Sequence, residues 1–198
     1  MKKIKSGVWF LNYYKYCGGY LNLARIGLME LKDKKYCDKF NAFEKDEIYT
    51  DKELLIPIVW CIKHAIELLF KALSSRITKE SYLTHENPEL HEVIKQAFSS
   101  LKITDTKPLE ELISLSDKYY KLRFWNSSAI LISEISDNQN DVFRYPESKI
   151  GFNLGIDKLH EVTNDEETEL ENDIKRLGKL LLKLHSHITS AKIREDKK

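Results

Sequence analysis

Two groups of side chains in this chain have the types and spacing for chemistry on a phosphate ester. The first is Lys63, His64, Glu67 and Lys71, which recur at steps of three and four inside the otherwise apolar run IPIVWCIKHAIELLFKALSSR, Ile56 to Arg76. Residues three or four apart are neighbours on a helix surface, so these four should share one polar stripe. Ile58, Ile62, Ala65, Leu69, Ala72 and Leu73 then fall on the core side. The second group is Phe143-Arg144-Tyr145-Pro146, an arginine between two aromatic rings with a proline fixing the turn behind it. A guanidinium grips a phosphate through two parallel hydrogen bonds, and an imidazole can move the proton that phosphodiester cleavage requires. Arg144, His64 and Glu67 are therefore the candidate catalytic set, gripping phosphate, acting as acid or base, and orienting the histidine. Lys63, Lys71 and Tyr145 are the candidate binding residues. A plainer arrangement uses the same groups. Glu67 and Lys71 can form an (i, i+4) ion pair, with His64 a hydrogen-bonded structural residue and Arg144 tying its turn to that pair.

Other chemistries find no motif. The six histidines never form a paired helical ligand motif with an acid, and His185 and His187, two apart, point to different sides of a helix. No glycine-rich loop precedes a helix, so a P-loop and a dinucleotide fingerprint are both missing, and no serine stands in a GxSxG elbow. Cys17, Cys37 and Cys61 are far apart, without the spacing of a zinc knuckle or a redox dithiol. They read as reduced thiols, Cys61 within the core. No cofactor or metal is expected.

The elements that must position these groups are helical. Val8, Leu11, Tyr14, Cys17, Leu21, Ala24, Leu28 and Leu31 step by three and four, predicting a helix over about 7–31. Gly18-Gly19 should weaken it by about 1 kcal/mol per glycine, and would admit a close neighbour or mark a kink. Thr50-Asp51-Lys52-Glu53 has the pattern of a capping box. Pro57 lies too deep for a first turn there, which predicts a kink or a fresh start of the central helix over 57–75. Asn87-Pro88-Glu89 opens a third helix and Pro108 a fourth, running to about Phe124. Asp141–Asn153 could form a small hairpin. Leu170, Ile174, Leu177, Leu181, Leu184 and Ile188 alternate steps of four and three, so a long closing helix is expected over 164–191.

Composition agrees with this reading. The chain has 198 residues, 42% hydrophobic and 32% charged, with only seven glycines and four prolines. That suits one all-α domain, an up-and-down bundle of four to five helices. The apolar runs fall short of the roughly 20 residues that cross a bilayer, so a cytoplasmic protein without a membrane partner is expected. The net charge of +1 conceals an uneven distribution. Residues 1–35 hold eight Lys or Arg against two acids, and residues 157–173 hold eight acids against one lysine. Acids at the start of the closing helix and bases at its end complement its macrodipole. The basic first helix and tail are either a solvated face or a contact for nucleic-acid phosphates.

The helix Trp60 to Leu73 resembles the signature helix of HEPN-like bacterial proteins (higher eukaryotes and prokaryotes nucleotide-binding). In these an A-x-E-L-x-x-K-A run follows an initial helix, and Ala65, Glu67, Leu68, Lys71 and Ala72 stand in its positions. An H-x-L-type segment often follows, which His85 to Leu90 or His91 to Ile94 could supply, and Phe143 to Pro146 is similar to a late element of some members. The resemblance covers about residues 54–184. It implies a four- to five-helix bundle, commonly dimeric, that cleaves RNA or binds nucleotides, often in toxin–antitoxin or phage-defence systems. This chain departs from the active ribonucleases, which carry an Arg-x4-6-His motif. The first histidine after Arg144 is His160, and those after Arg76 and Arg176 are His85 and His185, nine along in each case. The resemblance therefore implies a nucleic-acid- or nucleotide-binding subunit, a homodimer or bound to a partner protein, with catalysis lost or rearranged. Two further readings stay open. One is a metal-independent ribonuclease with a nonstandard Arg/His pair completed across a dimer. The other is a non-catalytic interaction module pairing through the seam at 170–188.

Overall fold

A computed structural model describes residues 3–5, 9–33, 51–78, 80–82, 87–120 and 162–195. Five helices dominate: α1 (Trp9–Lys32), α2 (Asp51–Thr78), α3 (Asn87–Ser100), α4 (Lys107–Tyr120) and α5 (Asn164–Glu195). Two short strands, β1 (Lys3–Lys5) and β2 (Glu80–Tyr82), pair antiparallel, with Ile4 opposite Ser81. The architecture is an all-α bundle. The hairpin expected over 141–153 lies outside the described residues, as do the connections at 34–50 and 121–161.

Contacts along the helices fix their directions. Gly27, Tyr20 and Phe10 of α1 meet Ile58, His64 and Arg76 of α2 in turn, so the two run antiparallel. Lys32 pairs with Glu171 while Tyr14 reaches Leu181 and His185, so α5 runs antiparallel to α1 as well. Glu111 with Arg176, and Lys118 with Glu169, set α4 antiparallel to α5. α2 contacts every other helix and forms the centre. From Ile58 to Ser75 only Trp60 and His64 escape full burial, as expected of a helix enclosed on all sides.

The helix ends show how the sequence sets the boundaries. Asn164 opens α5 behind a capping box. The Thr163 backbone N–H donates to Glu166 Oε2 at 2.9 Å, and the Glu166 N–H to Thr163 Oγ1 at 3.3 Å. Thr106 caps α4 through its carbonyl, which accepts from the N–H groups of Leu109 and Glu110. α3 ends in a Schellman turn: Ile103 N–H donates to Phe98 O, and Lys102 N–H to Ser99 O. Lys102 holds the left-handed position of that turn, with φ of 51°, where glycine is usual.

Two expectations change. α2 does not restart at Pro57 but runs through it from Asp51. The proline removes only the ladder bond to the Glu53 carbonyl, and its ring lies on an exposed position. Buried Leu55, Ile58, Val59 and Ile62 around it offset that loss. The close approach between helices also comes elsewhere than at Gly18-Gly19. A Cβ on Gly19 would meet nothing within 4 Å and one on Gly18 only Leu181 at 4.0 Å, whereas on Gly27 it would lie 2.8 Å from Ile58 Cγ1.

Substitutions at these glycines should therefore act in opposite directions. Gly27→Ala forces α1 away from Ile58 and is expected to cost about 1–3 kcal/mol. Gly19→Ala gains up to about 1 kcal/mol of helix propensity. Shifts of the urea midpoint at unchanged m-value would show both. Acid stability tests the α1–α5 join. Hydrogen bonds from Lys175 (2.5 Å) and Lys32 hold the Glu171 carboxyl down at about 2, from 4.5. With the folded value below the unfolded one, this stabilisation is present above pH 4.5 and lost as pH falls toward 2. Glu171→Gln should flatten the acid limb of the stability curve in that window, more so at low salt.

Candidate functional site

Three of the four stripe residues Lys63, His64, Glu67 and Lys71 are sealed inside the bundle. Lys63 is 0%, Glu67 1% and Lys71 6% exposed. Glu67 and Lys71 lie one helical turn apart, so Lys71 Nζ meets Glu67 Oε1 at 2.7 Å. A carboxylate placed N-terminal to its lysine is the favourable order. Out of water, each charge needs the other. One turn earlier, Lys63 Nζ lies 4.8 Å from the centre of the Tyr120 ring, and the Tyr120 hydroxyl donates to the Lys63 carbonyl at 2.9 Å. The end of α4 thus clamps α2 by a cation–π contact and a hydrogen bond to the same residue.

His64 is the member of the row that reaches solvent, with its side chain 21% exposed. Its Nδ1 stands 3.5 Å from Glu67 Oε2, the oxygen not engaged by Lys71. That is longer than a normal hydrogen bond, so the carboxylate faces the ring and becomes a full charge partner only when the imidazole is protonated. Two aromatic residues fix the ring plane. Trp60 stacks on it at 5.1 Å and 12°, and Tyr20 of α1 meets it edge-on at 4.5 Å and 89°. Among the described residues no contact occupies His64 Nε2. A histidine oriented by a carboxylate, held by rings and open at one nitrogen can accept or donate a proton there or hydrogen-bond a ligand.

The structure thus brings His64, Glu67 and Lys71 together as expected, and sends Lys63 aside to Tyr120. Lys63, Glu67 and Lys71 of the stripe are buried, and His64 is its one member that reaches solvent. Arg144 and Tyr145 lie outside the described residues. His91, on the segment considered for an H-x-L motif, is buried against Phe70 with Nε2 3.2 Å from Ser116 Oγ, where it joins α3 to α4; His85 has no described side chain.

Sequence reading missed the aromatic partners Tyr20, Trp60 and Tyr120 and a second polar centre at the α4–α5 interface. There Asp173, 2% exposed, accepts from the Tyr119 hydroxyl at 3.0 Å and from Arg176 Nη1 at 3.2 Å, and pairs with Lys118. Burial, then the Asp173 charge, push the Tyr119 phenol well above its ordinary value. The signal was present in the sequence: Asp173 interrupts the apolar face of α5 one residue before Ile174. Every Asp173 oxygen has a protein partner, which makes this centre a join between helices. Among the described residues, no group of three His, Cys, Asp or Glu is placed to hold a metal ion.

Breaking the central pair should be costly. Lys71→Ala leaves the Glu67 carboxylate buried without its lysine and is expected to cost about 3–5 kcal/mol in equilibrium unfolding. Adding Glu67→Leu to Lys71→Met should recover most of that loss. If Lys71→Ala unfolds like the wild type, the pair does not hold α2 in place.

Neither protein-family models, curated proteins nor solved structures give a match to this chain.

Proposed function

We propose that this chain is a HEPN-like subunit that binds nucleic acid or a nucleotide in a bacterial toxin–antitoxin or phage-defence system, with catalysis lost or rearranged. The observation that supports the reading is the arrangement of the A-x-E-L-x-x-K-A run on α2. Glu67 and Lys71 form its buried pair, and His64 stands against the same carboxylate while remaining open to solvent. A purely structural ion pair needs no histidine on its second oxygen, nor one steadied by two aromatic rings. The His64 ring offers a hydrogen-bonding nitrogen and the Tyr20–Trp60 pair an aromatic wall, chemistry that suits a base or a phosphate. Arg144 is the proposed phosphate grip, on the sequence grounds of its flanking rings and proline; Lys63 and Lys71 serve the fold in the described structure.

A metal-independent ribonuclease remains the second reading, because the His64–Glu67 geometry suits proton transfer as well as binding. The module reading through the closing helix is less favoured. Leu170, Ile174, Leu177 and Leu184 of that seam are buried within this chain.

One experiment separates these. Purified protein is tested for binding of single-stranded RNA and of nucleotides, and for RNA cleavage with chelator present, as wild type, His64→Ala and Arg144→Ala. Binding weakened about tenfold or more in both variants, at unchanged helicity and without cleavage, supports the binding subunit. Cleavage by the wild type that falls by about 10²-fold in both variants supports the ribonuclease. Failure of well-folded wild type to bind or cleave would sink both.

A further inference from the structure

His64 can meet a ligand in two chemically distinct forms, and they select opposite partners. The neutral ring carries one proton, on one of its two nitrogens. With that proton on Nδ1, facing Glu67 Oε2, the outer nitrogen Nε2 is a lone pair. It then accepts from a ligand N–H or O–H and repels an anionic oxygen. In the imidazolium both nitrogens carry protons. Nδ1 keeps the carboxylate, and Nε2 becomes a charged donor pointing away from it.

The imidazolium has its partners in place. Glu67 Oε2 stands 3.5 Å from Nδ1, and the Trp60 ring lies flat against the imidazole at 5.1 Å, within range of a cation–π contact. Lys71 meets the other Glu67 oxygen at 2.7 Å. Glu67 and Lys71 thus cancel as a pair, and the charge gained by the ring is the one offered to a ligand. Among the described residues, two further titratable groups lie around the ring. Tyr20 of α1 presents its ring edge-on, and Lys63 turns its ammonium to Tyr120 of α4. Neither is an acid. With the His64 side chain only 21% exposed, an anion at Nε2 is screened less than it would be in bulk water.

Building on the binding function proposed above, we infer that His64 engages its ligand as the imidazolium, donating from Nε2 to an anionic phosphate oxygen, so that binding takes up one proton from solvent. The linkage is reciprocal: the anion favours the proton as much as the proton favours the anion. One linked proton raises affinity by at most about tenfold per pH unit as pH falls through the histidine's titration, and the gain levels off below it. A ligand held by the neutral ring gives a flat profile or the reverse slope. The phosphate oxygen belongs either to an RNA backbone or to a free nucleotide, which share this chemistry.

Fluorescence anisotropy of labelled oligouridylate tests this at constant ionic strength, because its uracils and phosphodiesters hold their charge between about pH 5.5 and about pH 8.5. Wild type should bind at least about tenfold tighter at the acid end. His64→Gln, neutral throughout, should lose that slope and stay at the wild type's alkaline affinity, which sets aside the remaining histidines. His64→Arg, charged throughout and able to stack on Trp60, should bind at the alkaline end as the wild type does at the acid end. Helicity checks that both variants fold. In NMR, the titration midpoint of the His64 ring should rise when oligouridylate or uridine monophosphate is bound, and the probe that raises it names the source of the phosphate. A flat wild-type profile, a slope that survives in His64→Gln, or a midpoint that bound ligand leaves unmoved would each overturn this inference and leave the binding function standing. No binding at any pH would overturn both.

Discussion

The fold rests on how one buried carboxylate is matched. Glu67 sits in the middle of the central helix, which touches all the other described helices, at a depth where an unpaired charge would cost several kcal/mol. Lys71 answers it from the next turn of the same helix. The match to Lys71 therefore depends on α2 staying helical across that turn. This explains how α2 can be enclosed on all sides despite three charged residues in its centre. Lys63, one turn before Glu67, lies instead over the Tyr120 ring, since Lys71 and His64 already face the two Glu67 oxygens. Local pairing frees the surrounding helices to supply apolar contact.

His64 takes its character from the same pair. With Lys71 on Oε1, the carboxylate presents Oε2 to the imidazole, and Trp60 and Tyr20 restrict the ring to one plane. The indole Nε1 of Trp60 is itself buried with no hydrogen-bond partner among the described residues. That loss, of about 1–3 kcal/mol for a desolvated donor, is one the sequence could have avoided with phenylalanine. A ring chosen only to fill space would not carry that penalty, and the stacking surface it provides beside His64 is the compensating feature in view. The arrangement is thus more specific than core packing demands, which is why it carries the proposed function.

What the sequence made legible follows physical range. Periodicity placed all five helices, because burial of one face is encoded within each segment. Local end chemistry placed the starts at Asn87 and near Pro108, and Thr163-x-x-Glu166 was as readable as the box at Thr50. The contact of Gly27 with Ile58 was not readable, since it joins residues 31 apart in sequence and its neighbour Gly18-Gly19 looked the better candidate. The stop at Lys102 was hidden for a different reason: the turn uses lysine where glycine would have announced it. At the site, spacing found Glu67, Lys71 and His64 because they share one helix. Tyr20 and Tyr120 come from α1 and α4, and no pattern within α2 could name them. Arg144 and Tyr145 rest on sequence alone.

The two sides of α1 are mechanically linked. Its inner face carries Tyr20 to the edge of His64, while Gly27 lets α1 approach Ile58 so closely that a methyl group would not fit. Close-packed interfaces of this sort have discrete arrangements and no soft displacement. A force on the outer face of α1, whatever applies it, cannot be absorbed at Gly27 and must move the helix as a body. Tyr20 lies two turns from that contact and four residues from Tyr16, within reach of any such movement. The hold of Tyr20 on the His64 ring therefore depends on how α1 packs against α2.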